Sequence, residues 1–386
     1  MDTRTRLRRA SLILLPFTLL VFPPLALVAL AVFVMTSRRQ RAWPWETAIS
    51  ALITSLLLAT LLATWKLDAL IGSFGALAAG VTLFVLCTRL RVKDAPMIWT
   101  GLAVGLVVIG LQSLDQVFMS GAARASGPTF HPNVLGSAAL IATVSLLGGL
   151  RTPNNPRLLT TLYLSGIALG LAAIIYSGSR GAYLGLAVSL AVLAAYQLRI
   201  SRSAGVVVGV VALSIVVALS ALLLAPNAIS PLLERFTELD DPLDPVGRTT
   251  MWVLALELIQ NRPFLGYGFG AWSHAATMIE PSFRVDRSPH PHNLYLQLWV
   301  DGGALLTVAV MGFAAQIVRT LHRVAISGQF ANHSYGPIAV ATILGCLANG
   351  MTEPLLYHGF LAVLLWLPIA IGVSASPALG DPPSDR

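Results

Sequence analysis

The chain has 386 residues, of which 56% are hydrophobic and 11% charged. A soluble domain carries roughly 25% charged residues, so this composition excludes a water-exposed globular surface over most of the chain. The formal net charge of +8 rests almost wholly on arginine, with Lys66 and Lys93 the only lysines. These cations sit in short loops between apolar runs, which argues against nucleic acid as a partner and for loops kept on the cytoplasmic side of a bilayer.

In chain order, Arg4, Arg6, Arg8 and Arg9 precede an apolar run, as in a signal peptide. No small-residue cleavage site follows, so the segment is expected to stay as a first span. The stretch 10–36 is long enough for one tilted helix. Charge argues instead for two short helices of about 12–13 residues each, broken at Pro23-Pro24, because a single crossing would separate Arg4–Arg9 from Arg38, Arg39 and Arg41. Apolar runs then predict spans at 47–64, 67–87, 95–113, 131–150, 158–176, 180–198, 203–225, 292–318, 335–352 and 357–375. With the hairpin, the basic loops at 89–93, 151–157, 199–202 and 319–323 fall on one side. The expected fold is an all-α polytopic transmembrane bundle of about 12 helical elements with both termini inside. Residues 1–225 hold helices 1–9, 226–291 form one large, partly helical outer loop, 292–375 hold helices 10–12, and 376–386 are a disordered tail. Cys87 and Cys346 lie in apolar segments without metal spacing and define no disulfide framework.

Within the outer loop, Thr249–Gln260 has the composition of a helix that Asn261-Arg262-Pro263 stops. Gly266, Gly268 and Gly270 follow. They do not open a helix after a strand, so they read as a turn packing on the membrane domain and not as a dinucleotide fingerprint.

Three outer groups can carry chemistry. His290-Pro291-His292-Asn293 stands directly before an apolar helix, where a histidine is either a general base or a structural interfacial residue. Tyr295, Leu296 and Trp299 would share a face with His292, as a sugar-stacking stripe or as an interfacial aromatic belt. Ser177-Gly178-Ser179-Arg180-Gly181 opens a span where free N–H groups and the helix dipole attract anions. Arg180 is either a phosphate donor there or a snorkelling side chain. Gly247-Arg248 lies before the loop helix, and two outer arginines at helix starts suggest a diphosphate clamp. His131, Asn133 and Glu353 lie near the same surface as candidate cavity residues, and Asp301 within a span calls for a structural partner. No His/Cys/carboxylate set stands out as a metal site.

Gly247-Arg248, Trp252, Asn261-Arg262-Pro263-Phe264-Leu265-Gly266-Tyr267-Gly268, and His292-Asn293 leading to Asp301-Gly302-Gly303, with Ser179-Arg180-Gly181 upstream, resemble the O-antigen ligase/polymerase family in order and spacing. The resemblance implies an inverting, metal-independent glycosyltransferase of the bacterial inner membrane with no cofactor and a periplasmic active site. Its donor would be a glycan on undecaprenyl diphosphate, its acceptor a lipid A core or a growing polysaccharide. His292 matches the proposed base, and Arg180 and Arg248 match the arginines that hold the diphosphate. His290, Asn293, Tyr295, Trp299 and Asn133 remain acceptor or cavity candidates. The competing class is a transporter of an amphipathic substrate, which would be expected to carry broken mid-membrane helices or repeats. No repeat is evident.

Overall fold

The computed structural model describes residues 3–38, 45–129, 131–152, 154–200, 209, 248–280, 290–326 and 335–375. The expected span 203–225, most of the loop before Arg248 and the tail 376–386 lie outside the described residues. Among the described residues the regular structure is helical throughout, without a strand. Among the described residues six helices are long and apolar enough to cross a membrane, and four shorter apolar helices accompany them.

The hairpin at the N-terminus forms. Helix α1 (Thr3–Val21) and α2 (Pro23–Thr36) break at the Pro23-Pro24 pair, which cannot supply the N–H groups that would continue α1. The expected length of the first half is corrected. Helix α1 begins in the arginine segment and runs for 19 residues, whereas α2 has 14.

Then come α3 (Glu46–Leu61), α4 (Lys66–Arg89), α5 (Ala95–Phe118), α6 (Pro132–Leu150), α7 (Arg157–Ser177) and α8 (Arg180–Ile200). Helix α6 is rich in small and apolar residues and buries its whole length from Asn133 to Gly149, so it is the axis of the bundle. Its neighbours pack close through small residues, which is how membrane helices associate without a hydrophobic driving force. A Cβ at Gly166 would stand 2.9 Å from Cα of Ala103, so α7 lies directly on α5. By contrast α3 and α4 leave Leu61, Leu67, Ile71 and Phe74 exposed, as a lipid-facing wall requires.

The segment 248–280 contributes α9 (Arg248–Asn261) and α10 (Trp272–Ile279). Helix α11 (Leu294–Ile326), α12 (Gly336–Asn349) and α13 (Gly359–Ser374) complete the chain.

The expected continuous span at 292–318 is corrected. Helix α11 is interrupted at Gly303, with φ 62° and ψ −164°, a backbone conformation essentially reserved for glycine. The 263–270 turn fills the interruption. Ala304 N–H donates to Pro263 O at 2.8 Å, Tyr267 N–H to Val300 O at 2.9 Å and Gly268 N–H to Asp301 O at 2.8 Å. The Asp301 carboxylate, fully buried, accepts from Gly270 N–H (3.0 Å), Gln297 (3.0 Å) and the Tyr357 hydroxyl (2.5 Å), which is the structural pairing an acid in a span needs. The glycine turn thus docks on the membrane helices, as the sequence suggests. It also supplies its own backbone to the break.

A Cβ on Gly303 would collide with the backbone of Phe264 and Leu265, which cannot swing aside. Gly303→Ala is therefore expected to remove most folded protein, combining strain of about 1–3 kcal/mol with a broken turn. Detergent size-exclusion profiles would check this, with Gly312→Ala as control, since a Cβ there meets nothing.

Candidate functional site

The contacts gather the connecting segments into two ends. One holds the starts of α1 and α5. The other brings together the segment after α5, the α7–α8 turn, the segment before α11 and the segment after α12, and at this end the polar candidates converge.

Its centre is Glu353, which is 1% exposed. Its Oε2 accepts from Asn133 Nδ2 at 3.0 Å and lies 3.1 Å from His292 Nδ1. Its Oε1 faces His290 Nε2 at 3.6 Å and His358 Nε2 at 3.9 Å and makes no hydrogen bond. His131 lies within electrostatic range. Four of the chain's seven histidines therefore surround one buried carboxylate.

Local sequence explains how His292 reaches this place. Pro291 restricts the turn, and His292 adopts φ 49°, a left-handed conformation uncommon outside glycine. Its N–H donates to His290 Nδ1 at 3.3 Å. Asn293 then caps α11, its Oδ1 accepting from Tyr295 N–H at 2.9 Å and Leu296 N–H at 3.1 Å. Trp252 Nε1 on α9 donates to Pro291 O at 2.9 Å, and Leu294 N–H to Gly350 O at 2.7 Å. The strained residue is thus pinned on both sides.

These contacts set protonation. A carboxylate only accepts, so His292 donates through Nδ1–H and keeps the Nε2 lone pair free. His290 spends Nδ1 as an acceptor, so its proton is on Nε2. Burial and then the neighbouring His292 hold the His290 pKa down to about 3, against the pull of Glu353. His131 is also lowered, chiefly by burial. Burial pushes Glu353 up, but His292, His358 and His290 outweigh it and hold the carboxyl below its ordinary range.

The sign for stability follows. As pH falls below 6.5 the unfolded chain protonates His290 and His131 more readily than the folded site does, so folding weakens below about 6.5, for His290 down toward 3. The limiting slope is ~1.4 kcal/mol per pH unit for each group. Glu353 stays ionised in the folded state through this window, and its own contribution declines from about 4.5 downward, as the unfolded carboxyl protonates. The thermal midpoint in detergent is expected to drop between pH 7 and pH 5, and His290→Gln to reduce that drop. An identical pH dependence in the variant would refute the assignment.

Arg124 continues the network, donating through Nη2 to Asn133 Oδ1 at 2.7 Å and through Nε to Ser177 O at 2.7 Å. Ser177 leads through Gly178, left-handed at φ 59°, to Arg180 at the start of α8. A Cβ on Gly181 would collide with Thr352 and Asn349, so Arg180 stands beside the segment that carries Glu353. Arg248 is one helical turn before Trp252 on α9, on the face that meets Pro291. Two expected cavity residues are placed otherwise. The Tyr295 hydroxyl donates to Leu347 O at 2.7 Å and Trp299 Nε1 to Pro263 O at 2.8 Å. His292 stands outside the helix, so no common stacking face forms. Asn293 is a cap.

The expectation of no metal-capable set is also corrected. One ligand atom from each of His290, His292 and Glu353 lies within 4.8 Å of the others, so the cluster can hold a cation as well as a proton. The set escaped the sequence because Glu353 comes from a different segment, about sixty residues on. Arg124 and His358 were missed as well. Arg124 carried the same signal as Arg180, an arginine on what the sequence suggests is the outer side, where positive charge is disfavoured.

The model of one protein family, described as O-antigen ligase, matches residues 165–311. That segment includes Arg180, Arg248, His290 and His292 and stops short of Glu353. Among curated proteins, none matches the chain.

Proposed function

We propose that this chain, whose residues 165–311 match the family model described as O-antigen ligase, is an inverting glycosyltransferase of the O-antigen ligase/polymerase type. It moves a glycan from undecaprenyl diphosphate to an acceptor hydroxyl at the periplasmic face of the inner membrane. The acceptor is a lipid A core or a growing polysaccharide.

The observation that carries this reading is His292, with Nδ1 against a sealed carboxylate and its side chain 16% exposed against 1% for Glu353. The acceptor O–H gives its proton to His292 Nε2 as its oxygen bonds to the anomeric carbon. The bond from that carbon to the diphosphate oxygen breaks, and the lipid diphosphate leaves with the electron pair. Glu353 orients the ring and stabilises the imidazolium. Arg180 and Arg248, with the start of α8, meet the charge growing on the leaving group. The gathering of these groups at one end of the bundle favours a transferase over a transporter.

Arg180→Ala and Arg248→Ala are each expected to slow transfer by about 10²–10³-fold. Unchanged donor kinetics in both would remove the clamp. The test of the reading as a whole is transfer in proteoliposomes from undecaprenyl diphosphate-linked oligosaccharide, with and without EDTA. Glycan joined to an acceptor supports it, and product size separates ligase from polymerase. Passage of the lipid or glycan across the bilayer without transfer overturns it.

A further inference from the structure

At the end of the bundle away from His292, the α1–α2 hairpin and the turn between α4 and α5 enclose a cavity of about 450 Å³. Among the described residues seven basic side chains line it, Arg9, Arg91 and Lys93 among them, with one acid, Asp94. That acid is already committed. It is fully buried, its Oδ1 takes Arg8 Nη1 at 2.7 Å, and its Oδ2 takes Arg8 Nη2 at 2.5 Å and Arg91 N–H at 2.9 Å. Asp94 therefore builds the wall and leaves the space strongly positive. Arg91 Nε is buried there without a hydrogen-bond partner, a donor that a bound anion would satisfy.

We propose that this cavity binds the phosphate-bearing headgroup of an anionic phospholipid. Two observations favour a lipid over a free anion. Leu7 and Met35, each one position from a lining residue, are 48% and 71% exposed. They offer an apolar path for acyl chains at the mouth, on the same hairpin that carries the arginines. Basic pockets between membrane helices take anionic headgroups by this combination of guanidinium forks and adjoining apolar surface. The bound lipid would tie the hairpin to α5 by bridging cations that otherwise repel one another.

The test uses the full chain in neutral detergent, titrated with phosphatidylglycerol, phosphatidylcholine or inorganic phosphate. Retained lipid is read by native mass spectrometry and the thermal midpoint is followed in parallel. Phosphatidylglycerol is expected to be retained and to raise the midpoint, and the other two to do neither. Arg9→Gln with Lys93→Gln should weaken retention about fivefold per cation removed, while the lipid-free midpoint shows whether the variant folds. Arg91→Lys, which keeps the charge but loses Nε, should weaken retention as well. Equal retention of phosphatidylcholine, a midpoint shift by inorganic phosphate alone, or full retention in all variants would overturn the proposal.

Discussion

Replacing His292 by alanine is expected to lower transfer by about 10²–10⁴-fold, the usual contribution of a positioned general base, while the protein still inserts and folds. The fold survives because the pins on either side of residue 292 are backbone groups and the Asn293 cap, none of which uses the imidazole. Glu353 also keeps Asn133 as a donor. The loss should appear in kcat with little change in donor KM, because the ring is assigned to proton transfer and not to the diphosphate. Wild-type turnover in His292→Ala would sink the assignment of the base.

Glu353→Gln should cost as much or more, for a different reason. The glutamine is close to the glutamate in size, but its amide can donate to His292 Nδ1. That would drive the histidine proton to Nε2, the atom that must accept from the acceptor hydroxyl. Loss of the carboxylate also removes the charge that stabilises the imidazolium. The equivalent change in a serine protease triad lowers kcat by about 10⁴, and a similar magnitude is expected here. Glu353→Asp, which keeps the charge on a shorter stem, should recover part of the rate. A structural role alone would affect the thermal midpoint and leave the pH–rate profile in place, whereas the assigned role changes that profile. Full activity in Glu353→Gln would show that His292 works without an orienting carboxylate.

Much of the bundle was legible in the sequence because its signals are local. Length and apolarity mark the helices, Pro23-Pro24 marks the hairpin break, and the loop arginines sort the connections into two ends. The interruption of α11 was not legible. Gly302-Gly303 within an apolar run is compatible with a continuous helix, and only the docking of residues 263–270, some forty residues earlier, makes the left-handed step favourable. In the candidate site, chemistry and position single out His292 and Arg180 as proposals. Glu353 could be placed only near the surface, since its role depends on which side chains two other segments bring to it. Tyr295 and Trp299 misled for a related reason. Helical periodicity was extended back through His292, whose left-handed backbone ends that periodicity before the helix begins.

The double attachment of α9 has a consequence for variation in chain length. Trp252 fastens its first turn to Pro291, and the turn after Asn261 is fastened into the break at Gly303. Between these points the helix has a fixed number of residues, each worth about 1.5 Å and about 100° of rotation. Substitutions on its exposed face leave that spacing untouched. Deleting a single residue there would rotate Arg248 by more than a quarter turn relative to the anchored turn after Asn261, so the length of this helix is itself a parameter of the proposed site.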